Sequence, residues 1–224
     1  MINFAFSHPK RFEDKGEGRW HLGGSSRVIL MDGGIPWEDV AACVNLLGEE
    51  YPRLGAAAQL RNVDALPGDL VIRVGEPEAL QGVETYQEGF VIEAGPVTAL
   101  TAQSERAALY GLRTILEALE DGGLAYGRIV DYPQTSERGL HLDAGRKYYT
   151  KDWILELVRT LSRNRMNVLW LHFSENEGFR IASDRHPELP SLHHLTKDEV
   201  REIIRVCNAY RIDINPSLDC PGHL

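Results

Sequence analysis

The stretch Asn167-Val168-Leu169-Trp170-Leu171-His172-Phe173 decides how the second half of this chain is read. Its apolar run is continuous rather than alternating, which suits a strand covered on both faces, as in a parallel sheet. Upstream, Thr150 stands as N-cap before a helix that carries Trp153, Ile154, Leu157, Val158 and Leu161 on one face. Before that helix, Gly139-Leu140-His141-Leu142-Asp143 reads as a strand. Downstream, Thr196-Lys197-Asp198-Glu199 is a capping box opening a helix with Val200, Ile203, Ile204 and Cys207. Arg211-Ile212-Asp213-Ile214-Asn215-Pro216 is the next strand. This β-α-β-α-β order implies a parallel sheet with right-handed crossovers. By pattern alone it begins either a doubly wound sheet or a (β/α)8 barrel.

The first half follows a different rule. Arg27–Leu30, Asp69–Val74, Gly89–Ala94 and Val97–Thr101 read as strands, the last two around a Gly95-Pro96 turn. Pro36 marks a helix start, followed by Val40, Cys43, Val44 and Leu47 at helical spacing. Ser104 is the expected N-cap of a second helix, with Ala108, Leu112, Ile115, Leu116 and Leu119 as its apolar stripe. Turn chemistry at Glu120–Gly123 and the polar, proline-containing Asp131–Glu137 form a seam. The expectation is an α/β chain: a small α+β sheet-and-helix domain over residues 1–132, then a parallel β/α domain over 133–224.

Composition narrows the partners. A 43% hydrophobic and 25% charged chain can build a core and still cover its surface. A net charge of −9 argues against nucleic acid and against an anionic membrane, since both attract basic stripes. The apolar runs are far too short to span a bilayer. The start MINFAFSHPKRFEDKGEG lacks the basic-then-apolar order of an export signal. Three scattered cysteines, Cys43, Cys207 and Cys220, read as reduced residues of a cytoplasmic protein.

In parallel α/β architectures, ligands bind at the C-terminal ends of the strands. Three segments therefore become site candidates: Asp143–Tyr149, His172–Arg180 and Ser217–His223. Each mixes polar groups with aromatic rings, as sugar recognition requires. Each also has a plainer reading. Arg146 could simply pair with Asp143; Glu175 and Glu177 could be solvated loop charges; His172 could be a hydrogen-bonded core histidine. His193-His194 and Cys220 with His223 make poor metal pairs, because no carboxylate stands at ligand spacing. No metal and no cofactor is expected. Gly23-Gly24 lacks the helix-opening pattern of a phosphate cradle.

Taken in order, the three strand ends resemble glycoside hydrolase family 20, the β-N-acetylhexosaminidases. Arg138 to Tyr149 matches the family's R-G-x-x-x-D-x-x-R-x-F/Y-F/Y, and Asn167 to Arg180 follows its second-strand motif through His172, Asn176, Gly178, Phe179 and Arg180. Pro216-Ser217-Leu218-Asp219-Cys220-Pro221-Gly222-His223 lines up with P-E-I-D-x-P-G-H. Glu88–Ile92 and Tyr110–Leu116 resemble the small domain that precedes the barrel in the family. Two positions depart: Glu175 stands for the commoner aspartate, and Ser217 replaces a glutamate.

The resemblance implies that residues 133–224 are the first three β/α units of a (β/α)8 (TIM) barrel. It implies retaining hydrolysis of terminal N-acetylhexosamine from a glycan or glycoconjugate, with the substrate's acetamido carbonyl as nucleophile. Arg146 would bind sugar hydroxyls. Glu175, His223, Asp219 and His172 would form a supporting network. The family's catalytic Asp-Glu pair ends the fourth strand, so it is expected beyond residue 224, with the 224-residue chain itself inactive. An open barrel edge would favour self-association. The alternative is a non-catalytic carbohydrate-binding or interaction module on a partial barrel.

Overall fold

The computed structural model describes residues 9–220 and Gly222. They form two compact units, one up to Ser136 and the other from Glu137 onward.

The first unit contains β1 (Arg11–Trp20), β2 (Arg27–Met31), α1 (Trp37–Glu50), the single turn α2 (Pro52–Gly55), β3 (Ala58–Arg61) and β4 (Leu70–Val74). A 3-10 turn (Glu78–Leu80), β5 (Phe90–Ala94), β6 (Thr98–Ala102), α3 (Glu105–Glu120) and β7 (Leu124–Asp131) complete it. The strands form one sheet in the order β1-β7-β5-β6-β4-β2-β3. Its β6-β4-β2-β3 half is parallel, and β5, β7 and β1 join antiparallel. The expected caps form: Pro36 precedes α1, and the Ser104 side chain accepts from Ala107 N to start α3. Val40, Cys43, Val44 and Leu47 of α1 pack into one core with Leu109, Leu112, Ile115 and Leu116 of α3.

Strands β1, β3 and β7 have no counterpart in the sequence expectation. β1 reads RFEDKGEGRW and is exposed along most of its length, so no hydrophobic alternation marks it. Its ladder to β7 makes it a strand, with an irregularity between Asp14 and Arg19. At the start of β2, the buried Asp69 carboxylate accepts from Arg27 N, Leu66 N and the Arg27 guanidinium. The Arg27 side-chain hydrogen bonds, ahead of those from the backbone, hold its pKa down at about 2. A carboxyl held low in the folded state stabilises above its unfolded pKa of about 3.9 and loses that contribution as pH falls through the folded value. Stability should therefore decline between about pH 4 and pH 2 in urea titrations. Asp69→Asn should flatten that slope and cost roughly 1–3 kcal/mol at neutral pH.

The second unit contains β8 (Gly139–Asp143), α4 (Lys151–Arg163), β9 (Val168–His172), the two-residue strands β10 (Ser174–Glu175) and β11 (Gly178–Phe179), α5 (Lys197–Ala209) and β12 (Asp213–Ser217). β8, β9 and β12 form a parallel sheet with β9 in the centre. Thr150 caps α4 through Trp153 N, and the Thr196–Glu199 capping box is formed in both directions. The last strand starts two residues later than its apolar pattern suggests. Arg211 has φ +56° and Ile212 N still bonds Cys207 O, so both belong to the turn out of α5. Period-two geometry places Leu140, Leu142, Leu169 and Leu171 on one face and His141, Asp143, Trp170 and His172 on the other. Leu142, Leu169 and Leu171 are buried, whereas His141 is exposed and Trp170 half-buried. On the central strand β9, Val168 and His172 of the second face are buried as well and only Trp170 is half-buried, so its expected burial on both faces is borne out.

The Cys207 thiol, buried on α5, is pushed up to about 12 by loss of solvation, which keeps it protonated and unreactive. No described helix is long and apolar enough to cross a membrane.

Candidate active site

Register builds the site. The parallel ladders set Asp143 opposite His172, and His172 opposite Ser217, so the last residues of β8, β9 and β12 lie level. All three belong to one sheet face by the two-residue alternation. Immediately after β9 the chain turns through the β10–β11 hairpin, which returns Glu175 toward the same strand ends.

Five side chains connect there. His172, 4% exposed, has Nδ1 3.0 Å from Ser217 Oγ and Nε2 3.3 Å from Glu175 Oε1. Arg146 donates from Nη2 to Glu175 Oε1 at 2.9 Å, and its Nε lies 3.4 Å from Asp143 Oδ2. The Asp143 carboxylate also accepts Arg146 N at 3.0 Å, which fixes the turn out of β8. The Arg146 side chain is 57% exposed and that of Glu175 5%. The guanidinium is thus anchored on one side by a buried carboxylate while much of its rigid fork faces solvent, where it can meet hydroxyl or carboxylate oxygens.

The loops are held just as closely. Ala144 N and Gly145 N both donate to His172 O. Arg180 spans three segments: Nε reaches the carbonyls of Ala144 and Gly145, Nη1 that of His193, and Nη2 that of Glu177. Aromatic rings flank the strand ends, with Tyr148 against His193 (5.8 Å), Tyr149 against Trp153 (4.3 Å) and Phe173 edge-on to Phe179 (5.4 Å).

This placement sorts the sequence candidates. Arg146 does pair with Asp143, but its shorter contact is with Glu175. Glu175 is a buried acceptor between Arg146 and His172, so its reading as a solvated loop charge is corrected: the hairpin folds it inward. Glu177 is exposed at the hairpin tip. His172 is a buried, hydrogen-bonded strand histidine, and it is also part of the cluster. Asp219 lies two residues past β12, half-exposed, outside the group formed by Asp143, His172 and Glu175. His223 falls outside the described residues.

His193 and His194 diverge, one stacked near Tyr148 and the other bonded to Ser191 O. Asp143, His172 and Glu175 do bring ligand-type atoms within 4.8 Å of one another. A cation there would meet the Arg146 guanidinium, which already pairs with both carboxylates. Two contributors were harder to foresee. Asp143 was legible as the last residue of a strand, whereas the roles of Ser217 and Arg180 depend on pairings between distant segments.

The chain is similar to known proteins in sequence and in fold. Residues 136–224 match the family model "Glycosyl hydrolase family 20, catalytic domain". Beta-hexosaminidase B of Pseudoalteromonas piscicida is 25% identical over 80% of this chain and 29% of its own length. Human beta-hexosaminidase subunit beta is 29% identical over 66% of this chain, again covering 29% of the relative. A mutant Streptomyces plicatus beta-hexosaminidase, solved with the product GlcNAc, superposes with TM-score 0.79 at 21% identity, over 100% of this chain and 47% of that one. The chain therefore spans about 29% of the length of the two relatives compared by sequence. The fold is of mixed α/β architecture and resembles glycosidase structures over part of their chains. Residues 136–224 thus match the catalytic-domain model of glycoside hydrolase family 20, and the chain is similar to β-hexosaminidases over a portion of their typical length.

Proposed function

We propose that this chain supplies the sugar-holding strand ends of a retaining β-N-acetylhexosaminidase, with residues from 137 onward as the first three β/α units of a (β/α)8 barrel. The observation that carries this reading is the Arg146–Glu175–His172–Ser217 chain of contacts. It joins all three strand ends and leaves a charged donor fork facing solvent. Arg146 would bind hydroxyls of the terminal sugar, and Glu175 and His172 would hold it in place. Asp219, two residues past β12, and His223 would complete the polar network.

In the reaction itself, the substrate's acetamido oxygen attacks the anomeric carbon while an acid protonates the leaving oxygen. None of these residues is assigned as that acid. Among the described residues no strand ends in an adjacent Asp-Glu pair. The one Asp-Glu step, Asp198-Glu199, opens α5, and Glu199 is engaged by the N and Oγ of Thr196. The acid and the acetamido-orienting carboxylate are therefore proposed to lie outside the 224 residues, on a fourth strand end.

An assay with an aryl N-acetyl-β-glucosaminide tests this assignment: the 224-residue chain should give no turnover. Activity abolished by Arg146→Ala would place the acid within these residues. N-acetylglucosamine titrated into the labelled chain should shift the Arg146 Nε and His172 ring signals. Arg146→Ala should weaken that binding about 10- to 100-fold, the weight of charge-assisted hydrogen bonds. Wild-type signals that stay fixed at high sugar concentration would refute the sugar-site reading.

A further inference from the structure

The donors and acceptors around His172 have only a few consistent solutions. Glu175 is ion-paired with Arg146 and therefore ionised, so its Oε1 can only accept. At 3.3 Å from that oxygen, His172 Nε2 must carry a proton, because an unprotonated Nε2 would set lone pair against lone pair. On the other side, Nδ1 lies 3.0 Å from Ser217 Oγ, a hydroxyl that can donate or accept. A neutral ring with Nε2–H leaves Nδ1 as acceptor and Ser217 as donor. The remaining solution is an imidazolium. Burying one at 4% exposure is costly, and its carboxylate partner is already paired with Arg146. The charged and titratable groups facing the ring are Asp143 and His141 of β8 (the His141 ring centroid at 5.3 Å), Arg146 from the loop, and Glu175 of β10.

We infer that Ser217 is a positioning residue for the sugar-binding arginine: its hydroxyl donates to His172 Nδ1, reinforces the Nε2–H tautomer that Glu175 calls for, and so helps to hold Glu175 against Arg146. The inference rests on the proposed role of Arg146 in sugar binding. A hydroxyl at 217 can act as the donor that Nδ1 needs, whereas an ionised carboxylate at this position can only accept and would call for a proton on both ring nitrogens. The device spans three strands. β12 supplies the donor, β9 the relay, and the hairpin after β9 the carboxylate.

Long-range nitrogen–proton NMR of histidine rings in the labelled 224-residue chain reads this directly. At neutral pH, His172 should show an imine-type Nδ1 and a pyrrole-type Nε2. Ser217→Ala should lower the ratio of Nε2–H to Nδ1–H forms about fivefold, the weight of one neutral hydrogen bond. Ser217→Thr, which keeps the hydroxyl, should restore the single tautomer. A pyrrole-type Nδ1, a doubly protonated ring, or an Ala variant with an unchanged ring spectrum would each overturn the inference. If Ser217→Ala does not fold, the wild-type ring spectrum by itself decides among the three protonation patterns. These spectra need no sugar. A wrong tautomer therefore overturns the positioning role alone, whereas a correct tautomer in a chain that binds no N-acetylglucosamine overturns the sugar-site reading.

Discussion

Arg113→Ala should lower the stability of the first unit by about 3–5 kcal/mol, the cost of removing one partner from a buried ion pair. Arg113 sits mid-way along α3 at 1% exposure, and its two terminal nitrogens meet the two Glu50 oxygens at 3.2 and 3.4 Å. Glu50 is the last residue of α1 and its side chain is only 13% exposed. The pair therefore joins α1 to α3 at a point where water reaches poorly.

Truncating the arginine takes from the poorly solvated Glu50 carboxylate the cation that meets both its oxygens, so its ionised form is disfavoured relative to the wild type. The sign follows from linkage. The unfolded chain ionises Glu50 freely and the folded variant resists, so the deficit grows as pH rises above about 4 and shrinks below it. Urea midpoints at pH 4 and pH 7 measure both effects. Adding Glu50→Gln to the variant should recover much of the loss at pH 7. A deficit below about 1 kcal/mol, or one equal at both pH values, would show that the pair does not carry this helix contact.

Gly145→Ala should damage the second unit at its site. A Cβ on Gly145 would lie 2.8 Å from Glu175 N, 2.8 Å from Glu175 Cβ and 2.9 Å from the Ser174 carbonyl carbon. Two of these are backbone atoms, which cannot rotate away. The crossing is tight because Gly145 N donates to His172 O while its own carbonyl accepts from Arg180 Nε. Relief requires moving either the loop after β8 or the β10 hairpin, and either shift lengthens the 2.9 Å Arg146–Glu175 contact. Overpacking of this kind costs roughly 1–3 kcal/mol. The urea midpoint of the second unit should fall, and the His172 ring resonances should lose their wild-type positions. Gly24→Ala, where a Cβ would meet nothing within 4 Å, serves as the unaffected comparison. A Gly145→Ala chain with wild-type midpoint and ring spectrum would show that the loop has room to spare.

Local chemistry explains why much of this architecture is legible in the residues alone. The caps at Ser104, Thr150 and Thr196 act within one helical turn, so they appear in the sequence and again as formed hydrogen bonds. The apolar periods of α1, α3, α4 and α5 work the same way. β1 shows the opposite case. Its charged, exposed residues carry no strand period, and only hydrogen bonding to β7, more than a hundred residues later, gives it that form.

The site divides along the same line. The sequence by itself determined the residue types at each strand end, Asp143 and Arg146, His172 and Glu175, Ser217 and Asp219, together with the rule that such ends face a ligand. Tertiary structure alone decided which of them meet. Arg146 and Glu175 are 29 residues apart, and His172 and Ser217 are 45 apart. They come level only because parallel ladders set β8, β9 and β12 in one register. Burial is likewise a property of the assembled unit. A glutamate in a polar segment reads as solvated until a hairpin turns it beneath an arginine and against a histidine. Register and desolvation are non-local quantities, so no window of the sequence contains them.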